Sequence, residues 1–516
     1  LAYCRVSDVS PLAGLVNLRV LKLHHNLTRD FTPLLGLKNL TEFDNGGICE
    51  TAPLPPSVTE RIANRTFPSI ALPAHSLVHN TEPVRYLTRW ADPDIYYDVA
   101  TKHDVYPYAL LFGLGWQLTP TEPTEGLATR LVGQPESVMD EYQKYAERNP
   151  NMLFIPTIEI TVYGELDNFP PNSGFWLRDA DGQVIKNERA PWGEWTIDIL
   201  NPEVQQLIIN RVVGIAECGY FNGVMFDAWA PYHFGAYEEV FGIEDEKVIE
   251  EVIAAYITIL KGIRARVRDD FLILVNRNER KSSRYAEWIN GSFMEVEGKN
   301  PNGYTYNELI EIENALSWNE EYLREPRINV LQAYGAVQPP DSPDNLRWMR
   351  VFTTLSLTHS DGYCIFRSLV NRGEYNDGVH IWYDFWNADL GRPIGGAETK
   401  GQLYENREGL FIREFTNGWA VYNRSGREQT ITLPRSEGIA SGVVGTAHVL
   451  ADLDGEMYLK SESGVETPPT ADLNADGVVN IQDLVIVANA LGKAEPDLNG
   501  DDVVNIQDLV IVANAF

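Results

Sequence analysis

Cysteine and histidine are scarce, with 4 and 9 residues in a chain of 516. Cys4, Cys49, Cys218 and Cys364 lack the paired spacing of a zinc site, and the histidines are scattered, which argues against a catalytic transition metal. So few cysteines also argue against a disulfide-dependent scaffold. Cys218 and Cys364 lie in apolar stretches and read as core thiols, while Cys4 and Cys49 bracket the first module and could bridge. Basic residues are outnumbered 73 to 42, and a net charge of −31 argues against nucleic acid or anionic membrane as partners. No apolar run approaches the roughly 20 residues of a membrane span. Residue 1 is Leu rather than Met and no signal peptide is present, as expected of a processed piece of something longer.

What is present is packing material. Apolar residues make up 44% of the chain, with 12 Trp and 24 Tyr, and the length calls for two to four domains. Pro11–Leu18 recurs as Pro33–Leu40, 22 residues on, with the leucine spacing of a leucine-rich-repeat stub over residues 1–50. Two such units cannot bury a solenoid core alone. Residues 51–66, with Pro53-Leu-Pro-Pro56, read as a linker.

From 67 to 370 short apolar strands alternate with amphipathic helices. The pattern predicts strands at Ser69–Leu72, Ala109–Gly113, Leu153–Ile160, Gly223–Asp227, Leu272–Asn276, Ser292–Glu297, Asn329–Tyr334 and Gly362–Phe366. Eight strands with intervening helices are what an α/β fold of the (β/α)8 TIM-barrel type needs. A doubly wound sheet is the competitor, but no Gly-rich phosphate loop follows the first strand. Residues 371–460 alternate apolar and polar residues between Gly/Asn turns, predicting an antiparallel β domain. Residues 461–470 read as a flexible linker.

Residues 471–516 contain one twelve-residue loop written twice, 25 residues apart, each running into the same apolar helix. Oxygen donors fall at loop positions 1, 3, 5, 7, 9 and 12, the spacing that wraps a calcium ion. The first set is Asp472, Asn474, Asp476, the carbonyl of Val478, Asn480 and Asp483. The second is Asp497, Asn499, Asp501, the carbonyl of Val503, Asn505 and Asp508. An acidic surface tail would not repeat in register, so two structural Ca2+ ions are expected. The duplicated loop-helix resembles a type I dockerin, an EF-hand-like module that plugs a secreted bacterial enzyme into a cohesin. That resemblance implies a cohesin-type partner and a secreted or cell-surface location. Two departures stand out: Asp502 replaces the Gly of the sharp turn, predicting a weaker second loop, and Ile481-Gln482 and Ile506-Gln507 stand where known dockerins carry a hydroxyl pair.

In a barrel the reactive groups collect at the C-terminal ends of strands. Asp227 ends the fourth strand ahead of an aromatic loop, and Glu295 lies on the sixth; each is four residues past a strand-opening Gly. Two carboxylates on one cleft are the equipment of glycoside hydrolysis, one protonating the leaving oxygen and one attacking carbon or activating water. The competing reading is that both merely pair with Arg or cap loops. Phe293-Met294 around Glu295 suggests an apolar setting suited to the acid, with Asp227 as nucleophile or base; Glu297 is the rival acid. Candidate substrate contacts are Glu297, Asn276, Glu159, Gln332, Trp229, Tyr232, His233 and Trp116, with Trp176, Trp192 and Trp195 as further stacking aromatics. No catalytic cofactor is expected.

The segments Trp195–Val204, Gly219–Asp227, Leu390–Gly395 and Arg413–Gly418, in that order, resemble the hypothetical glycosyl hydrolase barrels of bacteria and the polygalactosaminidase-like group. The resemblance spans about residues 65–435. It implies a glycoside hydrolase with an Asp ending strand four and a Glu on strand six, matching Asp227 and Glu295, acting on a polysaccharide or glycan. The alternatives left open are a non-catalytic carbohydrate-binding or adhesion protein on the same scaffold, and another barrel hydrolase or a lyase.

Overall fold

The computed structural model describes residues 6, 8–23, 33–34, 37, 39, 42–44, 57–73, 77–78, 87–90, 92–107, 112–117, 124–133, 135–159, 162–163, 168–170, 172–186, 195–227, 229, 246–277, 280–298, 303–369, 378–461, 471–474, 478–501 and 503–515. The chain divides into two compact units, Leu1–Gln429 with Leu450–Met457, and Thr430–Val449 with Tyr458–Phe516.

The centre of the first unit is parallel sheet. β1 (Val105–Tyr106) pairs with β2 (Leu153–Phe154). Six further strands lie side by side in chain order: β3 (Thr157–Glu159), β4 (Gly223–Asp227), β5 (Leu272–Asn276), β6 (Gly291–Val296), β7 (Val330–Val337) and β8 (Tyr363–Leu369). Every neighbouring pair is parallel. Such strands are apolar throughout because both faces are covered. Side-chain alternation divides them. Met225, Leu272, Leu274, Phe293, Val330 and Ile365 meet Ala71, Val105 and Ile155 in one core. Val224, Phe226, Ile273 and Val275 face the other way, into a second core built with the helices.

Hydrogen bonding does not stop at the edges of the six-stranded sheet. Ala71 N donates to Cys364 O at 2.9 Å, Leu72 N to Val105 O at 2.8 Å, Ile155 N to Tyr106 O at 3.0 Å and Asn222 N to Phe154 O at 2.9 Å. Gly223 and Gly291 open β4 and β6 where neighbouring backbone comes close. A Cβ at Gly223 would lie 2.4 Å from Leu272 O, and one at Gly291 2.3 Å from Ile328 O. The second strand differs from expectation. Val105–Tyr106 is the strand here, whereas at the end of the expected Ala109–Gly113, Phe112 and Gly113 take the left-handed conformation, φ 48° and 76°, and belong to a turn; residues 109–111 lie outside the described residues.

The helices are α1 (Val58–Asn64), α2 (Pro93–Ala100), α3 (Pro135–Ala146), α4 (Pro202–Ala216), α5 (Glu246–Arg264), α6 (Tyr306–Tyr322) and α7 (Pro343–His359). Their starts follow from capping chemistry: Asn201 accepts from Glu203 N ahead of α4, Thr305 and Glu308 form a capping box on α6, and Ser342 accepts from Asn345 N on α7. After β8 comes an antiparallel hairpin, β9 (Leu410–Phe415) with β10 (Gly418–Asn423). It is tied to α6 and to the segment after α7 by ion pairs. Arg424 grips Glu313 of α6 with two bonds of 2.6 Å, and Arg413 Nη2 reaches Asp361 at 2.6 Å. Burial alone would push the Asp361 carboxyl up, but Arg413 and Lys400 outweigh it and hold it below the usual carboxylate range.

Near the N-terminus Val20–Lys22 pairs in parallel with Glu42–Asp44, and the register Leu21↔Phe43 reproduces the 22-residue repeat. Val9, Leu21, Leu23, Leu34 and Leu37 pack beneath. Cys364 is a buried free thiol as expected, whereas Cys218 is disulfide-bonded rather than a thiol. Cys4 and Cys49 lie outside the described residues.

β11 (Gln429–Gly438) and β13 (Asp454–Lys460) are antiparallel where Ser436 meets Lys460, both residues of the second unit, and β12 (Val444–Leu450) lies between them in sequence. The unit ends in α8 (Ile481–Ala490) and α9 (Ile506–Asn514); Val487 and Ala490 of the first and Val512 of the second pack with Leu498 and Val504 from the segment between them.

Candidate active site

The inward-facing side chains of β4 to β8 change from apolar to polar at their C-terminal ends. The fifth residue of each strand is Asp227, Asn276, Glu295, Tyr334 and Arg367 in turn. One nitrogen connects the first three. Asn276 Nδ2 donates to Asp227 Oδ1 at 3.0 Å and to Glu295 Oε2 at 3.0 Å, so these oxygens lie at most 6.0 Å apart. The two N–H bonds of an amide diverge by about 120°, which puts the oxygens about 5 Å apart.

On its other side Glu295 Oε1 accepts from Tyr334 Oη at 2.6 Å and from Gln332 Nε2 at 3.1 Å. Gln332 Nε2 also lies 3.0 Å from Tyr334 Oη, and Arg367 Nη1 donates to the same oxygen at 3.3 Å. Gln332, Tyr334 and Arg367 are all buried, while Asp227 and Glu295 keep partial exposure. Tyr304 fixes the adjacent backbone: its hydroxyl donates to Val296 O at 2.8 Å and accepts from Tyr334 N at 3.1 Å. Burial pushes the Tyr304 hydroxyl pKa up, so it stays a neutral hydrogen-bonding group.

The structure thus brings Asp227, Asn276, Glu295 and Gln332 together, and Glu159 stands beside Asp227 in the β3–β4 register. The surroundings of Glu295 differ from the apolar setting expected of it, since its oxygens face three polar donors. Gln332, expected to meet sugar, instead turns its amide nitrogen toward Glu295 and Tyr334. Glu297 lies past the end of β6 and is exposed, so it does not share the position of Glu295.

The aromatic candidates change most. Trp229 is fully buried, stacked on Tyr256 at 4.3 Å and edge-on to Tyr285, because α5 closes over it; it is core, not a sugar platform. Arg211 of α4 lies 4.0 Å from the centre of the Trp116 ring and occupies one of its faces. Trp176 is buried against Phe169, and Trp195 stays partly exposed. Tyr232, His233 and Trp192 lie outside the described residues. Sequence reasoning missed Tyr334 and Arg367. The count of four from an opening Gly does not reach them, since from Gly362 it lands on Phe366 and β7 opens on Val330; both take the fifth place only when counted from the observed strand starts.

The calcium loops form a separate site. In the second loop Asn499 and Asn505 both donate to Asp501 Oδ2, at 3.0 and 2.8 Å, and Asn505 Nδ2 approaches Val503 O at 3.1 Å. Asp497 Oδ1 gathers the amide of Gly500 at 2.8 Å. The left-handed residue here is Gly500, φ 76°, and Asp502 lies outside the described residues. In the first loop Asn480 likewise approaches Val478 O at 3.1 Å; Asp472 and Asn474 precede it in the chain, and Asp476 lies outside the described residues. Asp483 and Asp508 are buried, and their oxygens accept backbone amides that include those of Asn480 and Asn505. The amide of Asn480, with its neighbours, holds the Asp483 carboxyl below the usual range. Among the described residues no three His, Cys, Asp or Glu side chains are placed to hold a metal; in these loops acids alternate with asparagine and carbonyl oxygens. That all-oxygen donor set fits a hard cation in kind.

Over residues 161–419, half of the chain, the sequence matches the family described as Hypothetical glycosyl hydrolase family 15. No curated protein matches the chain. Among solved structures, an alpha-amylase from Anoxybacillus aligns with a TM-score of 0.40 at 12% identity, covering 72% of this chain and 90% of that one. One from Malbranchea cinnamomea gives 0.40 at 10% identity, with 78% and 97% covered. One from Lactobacillus plantarum gives 0.41 at 10% identity, with 78% and 100% covered. TM-scores this low establish neither a shared fold nor a shared substrate.

Proposed function

The chain belongs to Hypothetical glycosyl hydrolase family 15 and is a glycoside hydrolase, and from that premise we propose that Asp227 and Glu295 are its catalytic carboxylates, acting on a polysaccharide or glycan by double displacement. The observation that carries this reading is the single Asn276 nitrogen bonded to both, which limits their oxygens to a separation of at most 6.0 Å. Retaining glycosidases hold their carboxylates about 5–5.5 Å apart, whereas inverting ones leave about 6.5–9.5 Å for a water.

Asp227 attacks the anomeric carbon as the bond to the leaving oxygen breaks, and Glu295 delivers its proton to that oxygen. A glycosyl ester on Asp227 results. Glu295, now ionised, takes a proton from water, the water oxygen attacks the same carbon, and Asp227 leaves. Proton NMR of the first sugar released tests this. Retained anomeric configuration is expected; inversion would overturn the short-separation mechanism.

The scaffold is read as a closed (β/α)8 barrel. The bonds that pass from β8 to Ala71 and from Leu72 to β1, and the core shared by strands all round the sheet, support it. The N-terminal parallel pair is read as a leucine-rich-repeat stub, on the strength of its 22-residue register. Residues 471–516 are read as a calcium-dependent dockerin that tethers the enzyme to a cohesin-type protein. Loop side chains and the carbonyls of Val478 and Val503 would hold two ions that fix the loops ahead of α8 and α9. Exposed Ile481, Val485, Ile506 and Val510 repeat at equivalent positions and suit two docking faces. A disulfide at Cys218 agrees with an oxidising, extracellular location.

No helix among the described residues is long and apolar enough to cross a membrane.

A further inference from the structure

We propose that Tyr334, braced by Gln332 and Arg367, is a positioning residue that dictates which oxygen of Glu295 carries the transferable proton. The inference rests on the reading of Glu295 as a catalytic carboxyl. It follows from counting donors and acceptors. An arginine and the nitrogen of an amide can only donate, and both Arg367 Nη1 and Gln332 Nε2 point at the Tyr334 oxygen. Neither can accept its hydrogen, which is directed to Glu295 Oε1, 2.6 Å away. Gln332 Nε2 supplies a second donor to the same Oε1 at 3.1 Å.

Oε1 therefore faces the tyrosine hydrogen and a second donor, and a proton placed there would be set against them. When Glu295 is protonated the hydrogen must sit on Oε2, the oxygen turned toward Asn276 and Asp227, where a glycosidic oxygen would lie. After the proton leaves, the same donors accommodate the carboxylate without rearrangement. Arg367 does not touch Glu295 in the described bonds; it acts through the tyrosine hydroxyl, with its guanidinium 5.5 Å from the centre of that ring. The strand geometry makes this possible, because Tyr334 and Arg367 are paired across β7 and β8.

The test compares pH profiles of kcat/KM for the wild type, Tyr334→Phe and Arg367→Met on whichever glycan the enzyme cleaves, with Glu295→Gln alongside. Tyr334→Phe removes one donor to Glu295. The alkaline limb should move up by roughly 0.5–1 in pH, with kcat down about tenfold or more and KM within a few-fold. Arg367→Met should move the same limb the same way by less, and it keeps the test open if Tyr334→Phe does not fold. Both limbs standing at their wild-type positions in folded variants, with Glu295→Gln dead, would overturn the positioning role alone. Movement of the acid limb instead would overturn it as well, because Glu295 would then act ionised. Wild-type turnover by Glu295→Gln would mean that the reading of the site had failed.

Discussion

Asn276 offers the sharpest perturbation, because one nitrogen holds two carboxylates. Asn276→Leu keeps nearly the same volume and removes both hydrogen bonds, each 3.0 Å long. A hydrogen bond to a charged group contributes about 1.5–3 kcal/mol. Each 1.36 kcal/mol of lost transition-state stabilisation is tenfold in rate, so losing both bonds should lower kcat by about 10²–10⁴. KM should stay within a few-fold, because neither bond is made to sugar. The fold should hardly notice, since Asp227 and Glu295 keep partial exposure and water can replace the lost donor. Steady-state kinetics on a cleaved glycan, paired with a thermal melt, reads both quantities. Wild-type kcat in a folded Asn276→Leu enzyme would refute the reasoning. A loss of kcat that merely follows a large drop in Tm would refute it too, because Asn276 would then serve the fold rather than the carboxylates.

Other expectations concern stability. Glu313→Gln leaves Arg424 buried without its partner and should cost about 3–5 kcal/mol, whereas Glu313→Leu with Arg424→Met should recover most of it; a double variant no better than the single one would contradict this. Burial lowers the His359 pKa from 6.5 to about 4. Above pH 6.5 the ring is neutral in both states, but as pH falls from 6.5 to 4 the unfolded chain binds a proton that the folded one refuses, a loss of about 3 kcal/mol. His359→Gln should therefore narrow the drop in Tm between pH 7 and pH 4.5; an unchanged drop would speak against it. Chelation should melt residues 471–516 and leave the remaining transition in place, with the second loop losing its ion first; a calorimetric scan lacking any calcium-dependent transition would contradict it.

Much of the sheet could be read in advance because buried parallel strands are short apolar runs, and Gly223–Asp227 and Leu272–Asn276 coincide with their predicted limits. The second strand was misplaced because Ala109-Leu-Leu-Phe112 is as apolar as a strand, and nothing local announces that Phe112 turns left-handed. At the site, strand position was a sound guide. The count from an opening Gly picked out Asp227 and Glu295, which the structure brings together, but the expected limits Asn329–Tyr334 and Gly362–Phe366 start one residue early, so the same count misses Tyr334 and Arg367. Residue type was a poorer guide. Trp229 sits two residues beyond Asp227, yet Tyr256 and Tyr285, distant in sequence, enclose it. Glu297 has the right parity but falls one residue past the end of β6. Both errors share a cause, since burial and strand length are settled by contacts distant in sequence.

The most direct test of the two-carboxylate site is turnover on a glycan panel by the wild type beside Asp227→Asn and Glu295→Gln. The wild type should release sugar from at least one glycan, and each variant should lose several powers of ten in kcat while binding that glycan almost as before. Full turnover by both variants would contradict the account.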